Sequence, residues 1–424
     1  MSTVAVARPV LAVVQQHAED AAVLARTRSV LAGAPQAKLR HLRRLDDRLE
    51  AHLDGLRIAG ALGAQLCDAA LARPGAGEAF VITALALDAE DGERLGKIFA
   101  LAETLPTLRP GVVDAFEWAP TSALRGITTK LMQSPDAFQR TVGIAACESH
   151  GVDAGDVLAA SLVDTDVDLR SRALRAAGAC GRTDLIAACM AALNDEDPEC
   201  RFQSAQSLAW LGEQRVAADA LNTLMRDCVD CGARAAALSF KLATFERAAP
   251  MFKALLDKPE GLRTAIRGAG IVGDPQAVAW LIEQMGDPNV ARLAGEAFSL
   301  MTGADLAWLD LERKPPDGGE GGPTDDPADD DVSLEEDESL PWPDPERVRT
   351  WWSMHAGRFQ AGERYFMGAP PSWSHCVQVL GDAGQRQRLA AAEYLCLLRP
   401  GTPLFQTSAP AWRQQHRLGH MPAA

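Results

Sequence analysis

The chain has 424 residues, 47% of them hydrophobic, and a formal net charge of −15, enough length for two or three domains and enough apolar content for a core. Thirteen acidic residues fall between positions 317 and 346, where no Lys or Arg occurs; the rest is close to neutral, which excludes the concentrated basic face of a nucleic-acid groove. No uncharged apolar run reaches the roughly 18 residues of a membrane span, and residues 1–14 lack a basic n-region and a small-residue cleavage site, so the expectation is a cytoplasmic protein with no direct contact with nucleic acid or membrane.

Residues 9–32 read as one helix and 36–72 as one or two more. In the second stretch Leu42, Leu45, Leu49, Leu53 and Leu56 recur at three- and four-residue spacing and define one apolar face. Arg43, Asp47 and Glu50 lie on the other face, as pairs three and four apart. After a break at 73–77, helices are expected over 78–88, 92–104 and 111–118.

From 134 to 303 one pattern returns about every thirty residues, the kind of period that marks stacked repeats. Arg140, Arg170, Arg201, Arg234, Arg263 and Arg292 carry it. Asp136, Asp166, Asp197 and Asp230 each precede one of these arginines by four residues, and Gly151, Gly181, Gly212 and Gly303 follow by eleven. Asp or Asp-Pro suits a helix N-cap with proline in the first turn. Apolar residues then keep helical spacing, as Ala205, Leu208 and Leu211 do. Glycine ends the helix, where a left-handed residue is tolerated. A second helix follows in each unit, for example over 185–193 and 216–225. Such helix pairs bury their apolar faces only by stacking on neighbours. Two readings stand for the recurring Arg: a structural ladder to the Asp of its own or the adjacent unit, or a ligand contact.

The copies at 166–181 and 197–212 resemble HEAT-like short bihelical repeats, a class that includes the phycobilin-lyase type. The fold expectation is therefore all-α: an α-solenoid of HEAT-like bihelical repeats with an atypical helical N-terminal part and a C-terminal helical cap. The segments are 1–105 (N-terminal helices), 106–313 (solenoid), 314–346 (acidic disordered linker) and 347–424 (cap). The alternation before Ser134 suggests that the solenoid starts earlier.

A second resemblance rests on Leu-Asp-Asp-Arg-Leu-Glu-Ala-His-Leu-Asp-Gly-Leu-Arg-Ile-Ala-Gly at 45–60, with 385–393 and 413–418 as its C-terminal end. These segments look like an uncharacterised proteobacterial HEAT-repeat family that often lies in type VI secretion gene clusters. The resemblance implies a role in handling or neutralising a secreted effector.

The linker combines Pro315-Pro316, paired glycines and an acidic run over 325–338, a composition that cannot bury enough surface to fold alone. It reads as a solvated, self-repelling spacer or as a phosphate-mimicking strip set against a basic toxin. The run lacks the ligand order of an EF-hand. Five of the nine tryptophans follow, at 342, 351, 352, 373 and 412. Helices are expected over 348–359, 373–380, 385–398 and 409–418. Clustered Trp and Arg serve either cap packing or an interface hot spot. The candidate partner-binding residues are Asp325, Asp326, Asp329, Asp330, Asp331, Glu335, Glu336, Trp342, Trp351, Trp352, Arg358 and Trp373.

No motif calls for catalysis, a cofactor or a metal. The nine cysteines show no disulfide framework. Cys228-Val229-Asp230-Cys231 has no second ligand pair for zinc and no βαβ context for thioredoxin chemistry, so its thiols read as free thiols at a helix start. His416 and His420 read as exposed tail histidines, and His375-Cys376 are adjacent on a helix and so point apart. No phosphate-binding Gly-rich loop or nucleophile elbow occurs. Three functional readings follow. The favoured one is a non-catalytic protein-binding scaffold, an immunity protein occluding a secreted toxin effector. The second is an adaptor that loads an effector onto the secretion spike. The third is an enzyme of bilin-lyase or DNA-glycosylase type on HEAT repeats.

Overall fold

The computed structural model describes residues 9–315 and 337–422. Among them are twenty-two α-helices and no strand; extended pairing is confined to two isolated bridges, Glu312 with Pro343 and Phe366 with Ala369. The chain divides into two compact units, one of Met1–Cys189 with Gly401–Met421, the other of Met190–Pro400 with the residues after Met421.

The first unit holds α1 (Leu11–Leu31), α2 (Leu39–Ala59), α3 (Ala61–Ala70), α4 (Ala76–Asp88), α5 (Gly92–Thr104), α6 (Arg109–Trp118), α7 (Ile127–Met132), α8 (Ala137–His150), α9 (Asp156–Ser161) and α10 (Val167–Ala179). Helix α11 (Ile186–Ala192) spans the division. The second unit holds α12 (Pro198–Leu211), α13 (Gln214–Asp227), α14 (Gly232–Leu242), α15 (Phe245–Leu256), α16 (Leu262–Val272), α17 (Val278–Gln284), α18 (Ala291–Thr302), α19 (Pro345–His355), α20 (Trp373–Asp382) and α21 (Gln385–Leu398). Helix α22 (Ala411–His420) returns to the first unit.

This is an all-α solenoid of paired helices. In the first unit α1 packs on α2, α3 and α4, and then α4 on α6, α6 on α8 and α8 on α10. The leucine face of α2 is buried, while Arg43 pairs with Asp47 at 2.7 Å on the outer side. In the second unit α13 packs on both α12 and α14, α14 on α16 and α16 on α18. Small side chains permit this stacking. Ala173, Leu174 and Ala177 of α10 and Ala205, Leu208 and Ala209 of α12 are fully buried.

The start and stop signals act as their chemistry requires. Asp136, Asp166 and Asp197 cap α8, α10 and α12, each accepting from the backbone N–H three residues on. With those carboxylates engaged, the repeat arginines bind elsewhere. Arg140 Nη1 donates to the Ser134 and Pro135 carbonyls, and its Nη2 reaches Asp164 of the next unit at 2.9 Å. Arg170 and Arg201 make the same loop contacts, to the carbonyls of Asp164 and Asp195. Arg234 pairs with Glu199 of the preceding unit and Arg263 with Asp337. The ladder is therefore built largely from loop carbonyls and neighbouring acids, while Asp136, Asp166 and Asp197 serve their own helices; Asp230 does not, because α14 starts from Cys231 without a side-chain cap.

Residues after α18 cover the C-terminal ends of the repeat helices. In the second unit the N–H of Tyr365 donates to the Gly273 carbonyl (2.9 Å), and those of Met367 and Gly368 to Leu300 and Met301 (2.7 and 3.0 Å). Gly273 has φ +67°, and a Cβ on it would overlap the Tyr365 carbonyl oxygen. In the first unit Leu404 N–H donates to the Ala179 carbonyl at 2.8 Å. Gly181 there has φ +70°, and a Cβ would overlap the Gly401 carbonyl oxygen. The stop glycines thus serve twice, for the left-handed turn and for close passage of a second backbone.

Candidate functional site

Each C-terminal segment fastens to its unit with an arginine that satisfies orphaned carbonyls at a helix end. In the second unit Arg364 donates to the carbonyls of Phe240, Lys241 and Ala243, closing α14. In the first, Arg413 of α22 donates to Glu117 (2.9 Å), Trp118 (3.3 Å) and Ala119 (3.0 Å), closing α6. Burial lowers the Arg413 pKa to about 10.

The aromatic residues singled out from the sequence pack within the second unit. Trp342 is buried beneath the Arg292 guanidinium, 4.9 Å from its ring centre. Trp351 stacks on His355 at 4.2 Å and meets Phe298 edge-on at 5.7 Å. Trp352 packs against Phe298 and Phe359. Trp373 lies 4.1 Å under Arg399 and donates from Nε1 to the Pro422 carbonyl at 3.1 Å. Arg358 is exposed, and its carbonyl accepts from the Tyr365 hydroxyl at 3.4 Å. Asp325, Asp326, Asp329, Asp330, Asp331, Glu335 and Glu336 lie outside the described residues. Trp308, at 85% exposure, and Trp412, at 44%, are the most exposed tryptophans among the described residues.

The thiols expected to be free at the start of α14 are corrected by the structure: Cys228 and Cys231 form a disulfide. The two-residue spacing places both sulfurs in one turn ahead of the helix, and the Cys231 N–H donates to the Cys228 sulfur at 3.1 Å. His375 and Cys376 do point apart: the His375 ring contacts the Phe366 carbonyl, while Cys376 is buried and its thiol pushed up to about 12. Among the described residues no cluster of three or more His, Cys, Asp or Glu could hold a metal. No described helix is long and apolar enough to cross a membrane.

The densest buried charge lies in the first unit and was not legible in the sequence. A cavity of about 220 Å³ is enclosed by α1, α6, α8, α10 and the segment leading into α22. Along one wall runs a chain of ion pairs. Arg172 Nη2 meets Glu117 Oε1 at 3.1 Å, Arg172 Nε stands 3.3 Å from Glu148 Oε2, and Arg175 Nε donates to Glu148 Oε1 at 3.2 Å. Burial opposes the charge on Glu148, but Arg172 and Arg175 outweigh it and hold the carboxyl below its ordinary range. Glu117 goes the other way, raised by burial despite Arg172. Asp114 is also raised by burial, against its hydrogen bond from Ser29 and the nearby Arg28. Opposite, Arg28 Nε donates to Asp46 Oδ1 (2.8 Å) and its Nη2 to the Ser408 carbonyl (2.9 Å), while the Ala411 N–H donates to Asp46 Oδ2 (2.6 Å). Beneath, His150 touches the Phe116 carbonyl at 3.3 Å; burial and Arg413 lower its pKa to about 4.

Neither end of α6 carries a motif that announces this wall. Asp114 and Glu117 are three apart, as acids on a solvent face would be, and Arg172 and Arg175 are three apart on α10. Only the stacking of α6, α8 and α10 brings the two pairs together.

Comparison with known proteins agrees with the architecture. Residues 155–241 match the family model of HEAT repeats, from α9 to α14. No curated protein matches the chain, and no solved structure does. The match supports HEAT-type repeats over that stretch.

Proposed function

We propose that the chain is a non-catalytic scaffold that binds a folded protein partner, and that the partner is a secreted toxin effector which the chain occludes. The observation that carries the coarser reading is the run of stacked helix pairs with its HEAT-repeat match, since stacked repeats present an extended surface for wrapping a partner. The finer reading rests on the resemblance of residues 45–60 to a family found in type VI secretion gene clusters, and on the acidic stretch. A strip of that charge raises the encounter rate with a basic protein. Exposed Trp308 and Trp412 have the amphipathic character that interfaces favour. Self-protection places the protein in the cytoplasm, where an incoming effector must be met. A tight inhibitor would bury about 1,600 Å² or more.

The test is growth of cells making the effector encoded beside this chain's gene. Co-expression of the chain should restore growth, and replacing the acids at 325, 326, 329, 330, 331, 335 and 336 by Asn or Gln should slow association while leaving the dissociation rate nearly unchanged. Failure to rescue, together with loss of effector export when the gene is deleted, would support the adaptor reading instead.

A further inference from the structure

The charged cavity of the first unit has features that a partner-binding surface does not require. We infer that it is a binding site for a small zwitterion, a compound bearing one ammonium or guanidinium group and one carboxylate, as amino acids do. This goes beyond the scaffold reading and does not depend on it.

Two observations point to the chemistry. The first is charge balance. The lining holds Arg28, Arg172 and Arg175 together with Asp114, Glu117 and Glu148, three of each sign. A ligand of single net charge would leave one sign uncompensated in a buried setting, whereas a zwitterion matches both. The second is a pair of unmet polar atoms. Glu148 Oε2 and Gln406 Nε2 are both sealed from bulk solvent and neither makes a hydrogen bond, Oε2 having only its ion-pair contact with Arg172 Nε at 3.3 Å. The two residues are 4% and 9% exposed. Gln406 stands close enough to favour the Glu148 charge, yet its Nε2 lies outside hydrogen-bond geometry. One unmet atom is a carboxylate acceptor and the other an amide donor, so the group that satisfies both must donate and accept.

The site is built on rigid parts. Arg413 fixes the end of α6 beside Glu117, and Asp46 with the Ser408 carbonyl fixes Arg28. Trp118 and Pro410 supply apolar wall. The small volume limits the ligand to amino-acid size.

The experiment is isothermal titration of the full chain with L-alanine, L-glutamine and L-valine. The single-charge counterparts are ethylamine, isobutylamine and propionate. Saturable binding of at least one amino acid is expected at or below about 1 mM, with the single-charge compounds at least tenfold weaker. Glu148→Gln should weaken that binding at least tenfold. Because Glu148 is buried among arginines, Gln406→Met serves as a second variant that keeps the volume and removes the donor; it should weaken binding severalfold with an unchanged circular dichroism spectrum. No saturable binding by any of the three amino acids would show a cavity that holds water only and overturn the proposal. So would an amine or carboxylate alone binding as tightly as the zwitterion, or affinity unchanged in both variants.

Discussion

The C-terminal segment meets the two units by the same device and leaves different interiors. In each it passes a left-handed stop glycine, Gly273 in the second unit and Gly181 in the first, and sends an arginine onto the carbonyls of a helix end. Within the second unit the space beneath holds mainly aromatic rings, Phe240 stacked on Phe252 at 4.7 Å and Phe366 against Tyr394 at 4.9 Å, with the ion pair of Lys241 and Glu393 beside them. Within the first it is left to arginines, carboxylates and a cavity. Similar fastening over different filling separates what the architecture demands from what it merely tolerates. Apolar interiors such as that around Phe240 respond to volume. The first keeps buried charge, which is expensive unless it serves something.

The largest expected effect tests the packed side. Phe240→Ala removes a fully buried ring and should cost about 4 kcal/mol; denaturant unfolding monitored by hydrogen exchange of α14 reads it, and a loss below about 1 kcal/mol would mean the stack is loosely packed. Next comes the shared fastening. Arg413→Ala removes the charged donor from three carbonyls and should cost about 3 kcal/mol, with Arg364→Ala similar. Lysine should restore little at either place, since one ammonium does not reproduce a planar fork. If only one of the two matters, the parallel between the units is broken. Smaller still, Gly181→Ala and Gly273→Ala should each cost about 2 kcal/mol, through positive φ and displacement of the passing backbone. Both losses should appear as a lowered melting temperature.

The smallest expected effect at neutral pH is specific to the charged side. His150 has a folded pKa of about 4 against an ordinary value of 6.5. A group depressed in this way is neutral when folded and binds its proton more readily unfolded. Its contribution is present above about pH 6.5 and is lost as pH falls toward 4. Comparing the chain with His150→Gln across that window isolates the term, because the carboxylates titrate in both. The variant should show a flatter decline, and parallel curves would place His150 in a more open setting.

Much of the architecture could be read from the residues. The arginine period, the Asp caps and the stop glycines mark helix after helix, because N-caps and left-handed turns depend on local chemistry alone. Residues 385–398 and 373–380 were legible as helices for the same reason. The fastening segments were not. Residues 359–372 and 401–410 have no regular period, and their partners are carbonyls of distant helix ends, as when Arg364 meets Ala243 and Leu404 meets Ala179. The cavity was hidden in a different way: Glu117, Glu148 and Arg172 look like ordinary surface charges until three helices stack. The disulfide had a visible signal in the two-residue spacing of Cys228 and Cys231, although no wider cysteine framework accompanies it.

The central claim, that this chain is a scaffold for a protein partner, is tested most directly by isothermal titration of the purified chain with the purified product of the effector gene beside it. The account predicts one-to-one binding with a Kd of about 10 nM or tighter, as occluding inhibitors of standard interface size achieve. No heat and no co-elution at about 50 μM of each protein, a concentration at which even a weak, transient contact would register, would contradict it.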